Sequence, residues 1–217
     1  SLVAASGAPV PARAPQCLGD LPAGDTRDPG SWQPHANWRV RVFTKQSDQA
    51  HVILGVPSYP IEHPDRYALQ VLSTVLGGGM SSRLFTEVRE RRGLAYYVFG
   101  LNHSYTDAGS LYAQAGVDIN RIDEAVTTIL GELRTIASDV VPADELEKAR
   151  NFAKGRFVLQ LESPQGLILF GLRREVLERH APDLDEVLDG LNAVTAEDVR
   201  RVAQDLIADE HQRLAVI

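Results

Sequence analysis

Residues 76–100 read LGGGMSSRLFTEVRERRGLAYYVFG, and two side chains in this stretch could act together on a carbonyl. Arg89 brings a guanidinium that stays charged, and Tyr96 a phenol; both donate hydrogen bonds. They stand seven residues apart across Gly93, so a helix end and a strand start can carry them toward one point. Two donors aimed at one oxygen would stabilise the oxyanion that forms in peptide hydrolysis. On the same helix Glu87 precedes Arg91 by four, a favourable surface pair. Arg89 has only Phe85, Thr86, Arg92 and Gly93 at its i±3 and i±4 positions, so no acid on its own helix neutralises it. The same spacing also suits an inter-element salt bridge beside a core tyrosine. From spacing alone both readings stay open, and Tyr97 is an offset alternative to Tyr96.

The glycines ahead of this pair raise a separate question. Gly77, Gly78 and Gly79 followed by Ser81 and Ser82 could cradle phosphate at a helix N-terminus. A P-loop needs a lysine after its glycines, however, and none occurs between Lys45 and Lys148. A dinucleotide loop follows a strand, whereas these glycines follow a helical pattern. A helix stop at Gly77, a turn at Gly78–Gly79 and a serine cap on the next helix account for two glycines and leave the third unexplained.

Other chemistry is absent from the pattern. The six histidines are His35, His51, His63, His103, His180 and His211, and no two lie at the i,i+4 spacing that places a zinc ligand pair on one helical face. Tyr59-Pro-Ile-Glu62-His63 imitates the end of H-x-x-E-H, but Pro60 and Pro64 deny it a helix. No G-x-S-x-G elbow occurs. The single cysteine, Cys17, fits a reducing, cytoplasmic compartment and rules out an internal disulfide framework. Glu87/Glu90 and Asp144/Glu145/Glu147 read as solvated helix surface. The chain's net charge of −7 argues against nucleic acid or an anionic membrane as partner, a local basic patch at Arg89, Arg91 and Arg92 notwithstanding. No apolar run is long enough to span a bilayer.

The elements that must position Arg89 and Tyr96 follow from periodicity. Residues 1–35 hold six of the twelve prolines and read as an irregular linker. The opening at Ser1, with LVAASG behind it, suggests a cut inside a longer protein. Strands are expected at about 38–45 and 50–58. Ala68, Leu69, Leu72, Val75 and Leu76 make one buried helical face that starts at Pro64-Asp65 and stops at Gly77. A second helix should run from Ser82 to Arg92, then a hairpin around Thr106–Gly109. Helices follow at 120–138, at 143–162 and from Pro164 to about His180. A last helix begins at Thr195-Ala-Glu-Asp198, and 214–217 closes as a strand. The expected fold is α+β, a mainly antiparallel sheet with helices on one face, formed by a single domain over 36–217.

These segments also resemble a family. LGGGMSSRLFTEVRERRGLAYYV is very similar to the hallmark of the C-terminal half of pitrilysin-type zinc metallopeptidases, which include the mitochondrial processing peptidase and insulin-degrading enzyme. PDRYALQVLSTVLGGG, PADELEKARNFAKGRFVLQLES and TAEDVRRVAQDLI follow the same pattern, so the resemblance extends from about Trp38 to the end. LGDLPAG at 18–24 is similar to the linker after the first half. The resemblance implies a division of labour. A first half, in the same chain or a partner subunit, binds zinc through H-x-x-E-H. This half has no metal ligand. It supplies Arg89 and Tyr96 to the substrate carbonyl, and Gly77, Gly78 and Gly79 help receive an extended peptide. A dimer is compatible with this arrangement. The segment alone would then be inactive. The family also contains non-catalytic peptide-binding or structural subunits, which is the alternative.

Overall fold

The computed structural model describes residues 49–178, 183–208 and 211–216. The expected strand at 38–45 and the linker at 1–35 lie outside them. Strict alternation builds strand β1 (Ala50–Ser58), with Val52, Leu54 and Val56 buried and His51, Ile53 and Pro57 exposed. Helix α1 (Arg66–Gly77) follows, buried well beyond its predicted stripe because Val71 and Ser73 are also enclosed. It lies between the sheet and four later helices, so little of its surface meets water.

The predicted helix at 82–92 is present in a different form. After a short α-helical start, Phe85–Arg91 is a π-helix with no side-chain cap. The expected serine cap is absent: the hydroxyl of the buried Ser82 donates to the Gly79 carbonyl at 2.6 Å instead. The helix ends where Gly93 adopts φ +58°, the left-handed region that favours glycine. The Leu94 N–H then donates to the Val88 carbonyl at 2.8 Å, and both of those side chains are buried.

Strands β2 (Ala95–Ser104) and β3 (Gly109–Val117) form the predicted hairpin. A 3₁₀ turn at Ile119–Arg121 leads into α2 (Ile122–Ser138), which buries Ala125, Ile129 and Leu133 as its periodicity demands. Helix α3 (Ala143–Leu161) buries Leu146, Ala149 and Ala153. Its stripe then emerges, and Phe157 is only half-buried, with its ring 5.4 Å from that of Phe170 on α4 (Pro164–Leu177). Helix α4 leaves Leu167, Ile168, Leu169, Leu172 and Val176 exposed.

Helix α5 (Leu184–Ala193) is an addition to the predicted order. Its signal was present: the Asp183 carboxylate accepts from the Glu186 N–H at 2.8 Å, a capped start ahead of buried Val187 and Leu191. Helix α6 (Ala196–Leu206) opens on the predicted capping box, with Thr195 and Asp198 each accepting from the other's backbone. Strand β4 (Arg213–Val216) completes an antiparallel sheet of order β2-β3-β1-β4. Helices α1, α2 and α6 cover the face that carries Val52, Leu54, Leu111, Ala113 and Val117. This is the expected α+β architecture. No helix among the described residues is long and apolar enough to cross a membrane.

Candidate functional site

The start of β2 departs from regular pairing. Ala95 pairs with Val117 and Tyr97 with Gly116, so Tyr96 is the extra residue of a β-bulge. Val98 and Gly100 point to the core, and uninterrupted alternation would send Tyr96 there too. The bulge reverses the order. Ala95 is buried, Tyr96 is 58% exposed, and Tyr97 lies on the same outer side. Bulges next to active sites commonly re-aim one side chain in this way.

The two tyrosines then differ in their partners. The Tyr97 hydroxyl is 2.9 Å from Nδ1 of His51 on β1, and its ring stacks on Phe99 at 5.4 Å. Among the described residues Tyr96 has no such hydrogen bond. Arg89 is also exposed, and its guanidinium lies 5.0 Å from the centre of the Phe85 ring one turn back. The π-helix packs against β2, which brings the elements carrying Arg89 and Tyr96 together. No hydrogen bond joins the two side chains themselves.

The three glycines have separate surroundings. Gly77 is buried at the end of α1, where an added Cβ would stand 1.8 Å from the Gly100 nitrogen. A Cβ on Gly78 would meet Thr74 Cα at 2.8 Å. One on Gly79 would meet only the edge of the Phe152 ring, at 3.2 Å. None has a positive φ. Close approach, rather than an unusual backbone, accounts for Gly77 and Gly78, and the helix continues through Gly77 rather than stopping before it.

Charged side chains on the π-helix and its neighbours pair with one another. Arg83 forms a two-pronged pair with Glu145 at the start of α3, with distances of 2.9 and 2.8 Å. Hydrogen bonding to that carboxylate raises the Arg83 pKa. Glu87 pairs with Arg91 along the π-helix. Glu132 on α2 has its pKa raised, first by burial and then by the charge of Glu87. Arg83, Glu87, Arg91, Glu132 and Glu145 line a hollow of about 400 Å³. A second hollow of about 320 Å³ runs from Gly79 and Ser82 to Lys148 and Phe152. Arg89 and Tyr96 stand outside both, on open surface. Among the described residues no three His, Cys, Asp or Glu side chains are grouped to hold a metal ion, so a zinc ion does not fit these residues.

His51 and Gly116 lie on this face of the sheet, Gly116 buried under the Tyr97 ring, and the sequence offered no signal for either. Their relation to Tyr97 exists only through strand register, across 46 residues in the case of His51.

The family described as the peptidase M16 inactive domain matches residues 11–152, a match that opens inside the proline-rich segment. The "uncharacterized zinc protease YmxG" of Bacillus subtilis is 38% identical over 182 residues, covering 84% of this chain and 44% of that protein. The mitochondrial-processing peptidase subunit alpha of Caenorhabditis elegans is 27% identical over 175 residues, covering 74% of this chain and 33% of its own length. The chain thus spans less than half of these curated relatives. Among solved structures, a protease from Helicobacter pylori aligns with a TM-score of 0.72 at 24% identity, over 78% of this chain and 41% of that one. A peptidase M16 inactive domain from Pseudomonas fluorescens aligns with a TM-score of 0.68 at 19% identity, over 78% and 40% of the two chains. These two likenesses establish the fold, and the family match over residues 11–152 establishes the lineage: the chain belongs to the peptidase M16 inactive-domain family.

Proposed function

We propose that this chain is the metal-free half of a cytoplasmic zinc-dependent endopeptidase. Arg89 and Tyr96 donate hydrogen bonds to the scissile carbonyl of an extended peptide. The zinc is held by an N-terminal half, in the same polypeptide or in a partner subunit, and this chain's part is to orient substrate and stabilise negative charge. The observation that carries the reading is the β-bulge, which delivers Tyr96 to the outer face while the hydroxyl of Tyr97 is engaged by His51. Tyr96 is therefore the working tyrosine. Gly79, which meets only a ring edge, and the neighbouring exposed Met80 and Ser81 give the peptide its approach. Gly77 and Gly78 bring that loop close to β2 and α1. The exposed apolar residues of α4 suit a covering partner half, since contiguous patches of this kind mark interaction surfaces.

The test is Tyr96→Phe in the complete protein, assayed with a peptide that the enzyme cleaves. Removing a donor that acts in the transition state should lower kcat by about 10²-fold and leave KM within about twofold. An unchanged kcat removes Tyr96 from the mechanism. A second reading, a non-catalytic peptide-binding subunit, draws on the engagement of Arg89 with the Phe85 ring rather than with Tyr96. It predicts peptide binding without turnover, sensitive to Gly79→Val and indifferent to Tyr96→Phe.

A further inference from the structure

We propose that His51 and Tyr97 form a brace across the sheet that sets the direction of Tyr96. The proposal rests on the reading of Tyr96 as the working tyrosine. A bulge leaves its extra residue out of the ladder, so pairing alone does not fix Tyr96. Its two neighbours supply the constraint: Ala95, buried and paired with Val117, and Tyr97 on the other side. Tyr97 is held on three sides. Its backbone pairs with Gly116 on β3, its ring stacks on Phe99 at 5.4 Å, and its hydroxyl lies 2.9 Å from His51 Nδ1.

The middle strand makes this possible. Gly116 pairs with Tyr97 on one side and with His51 on the other, so the three residues form one row across β2, β3 and β1. A Cβ on Gly116 would stand 2.5 Å from Tyr97 Cε1 and 3.1 Å from Cζ. The tyrosine ring therefore lies over the glycine and uses the space of its missing side chain to reach the histidine. Any other residue at 116 would lift the ring off the sheet. Within the row His51 is exposed, Tyr97 partly buried and Gly116 buried. The geometric effect of the row falls on the bulge. His51 and Tyr97 are positioning residues: neither is assigned contact with substrate.

The experiment has a structural arm and a kinetic arm, both in the complete protein. In the first, 3-fluorotyrosine is placed at position 96 and its ¹⁹F spectrum is recorded. The expected result is one narrow resonance in the parent protein. His51→Ala, Tyr97→Phe and Gly116→Ala should each shift or broaden it with little change in Tm, and His51→Asn, which keeps a hydrogen-bonding group near the place of Nδ1, should restore it. In the second arm, His51→Ala should lower kcat about tenfold with KM nearly constant, because misdirected catalytic groups cost turnover rather than binding. His51→Asn should recover most of that loss. A ¹⁹F spectrum at 96 that is indifferent to all three substitutions overturns the brace. So does a drop in kcat for Tyr96→Phe without one for His51→Ala. Altered spectra together with an unaffected kcat in Tyr96→Phe support the brace and defeat the oxyanion reading, so the two failures are distinguishable.

Discussion

Gly77 and Gly100 are in backbone contact. The end of α1 rests on the middle of β2 so closely that a Cβ on Gly77 would fall 1.8 Å from the Gly100 nitrogen and 2.5 Å from its Cα. The first glycine of the triplet is thus a packing residue of the same strand that displays Tyr96. Gly77→Ala should destabilise the fold by about 2–4 kcal/mol, since backbone rather than a mobile side chain must give way. Gly79→Ala meets only the Phe152 ring edge and should cost less than about 1 kcal/mol. Urea unfolding of the two variants measures the difference.

In the proposed role Arg89 acts by charge and by its fixed fork of donors. Arg89→Ala in the complete protein should reduce kcat/KM by about 10²-fold. Arg89→Lys should recover only part, because an ammonium cannot reproduce the guanidinium geometry. Steady-state kinetics on one defined peptide decide this. Full recovery by lysine would reduce the role of Arg89 to a diffuse charge.

Glu132 makes the stability depend on pH. Burial and then the charge of Glu87 raise its pKa in the folded state. The folded protein therefore binds this proton more tightly than the unfolded chain does. Stability is greatest below the unfolded value and falls as pH rises from there through the folded value. Glu132→Gln removes that cost. It should raise Tm at pH 7, and the gain should vanish below about pH 4, where the carboxyl is protonated in both states. Thermal scans across that range provide the check.

The Arg83–Glu145 pair ties the segment just after the glycines to the start of α3. Both side chains are largely enclosed, at 14% and 26% exposed. Glu145→Gln leaves the Arg83 charge without its anion and should destabilise by about 1–2 kcal/mol. Amide hydrogen exchange should rise around residues 79–84. An effect that is uniform over the whole chain would show that the pair has no local clamping role.

Much of this architecture was legible because it is local. The stripe from Ala68 to Leu76, the hairpin turn and the Thr195–Asp198 cap each declare themselves within a few residues, and each stands where expected. Helix α5 is equally local, its start marked by Asp183 and Glu186, yet it is absent from the predicted order. The rest required pairing information. No residue pattern distinguishes the π-helical winding of Phe85–Arg91 from an α-helix of the same amphipathicity. The bulge at Tyr96 depends on which residues of β3 lie opposite. For the site, Arg89 and Tyr96 are both exposed, whereas spacing alone placed Arg89 at the edge of the buried side and left a core tyrosine open. Tyr97 could be told from Tyr96 only once His51 was brought beside it.

The sheet order places β4 directly against β1, with Val52 opposite Val216 and Gly55 opposite Arg213. A ribosome makes these two strands more than 150 residues apart. One edge of β1 must therefore wait, unpaired at these positions, while every helix between them is synthesised. Long-range closure of this kind is slow, and open edges recruit other chains. Translation that stalls before residue 213 would leave a nascent domain with most of its helices and an unsealed strand, a product suited to chaperone capture and to degradation rather than to function.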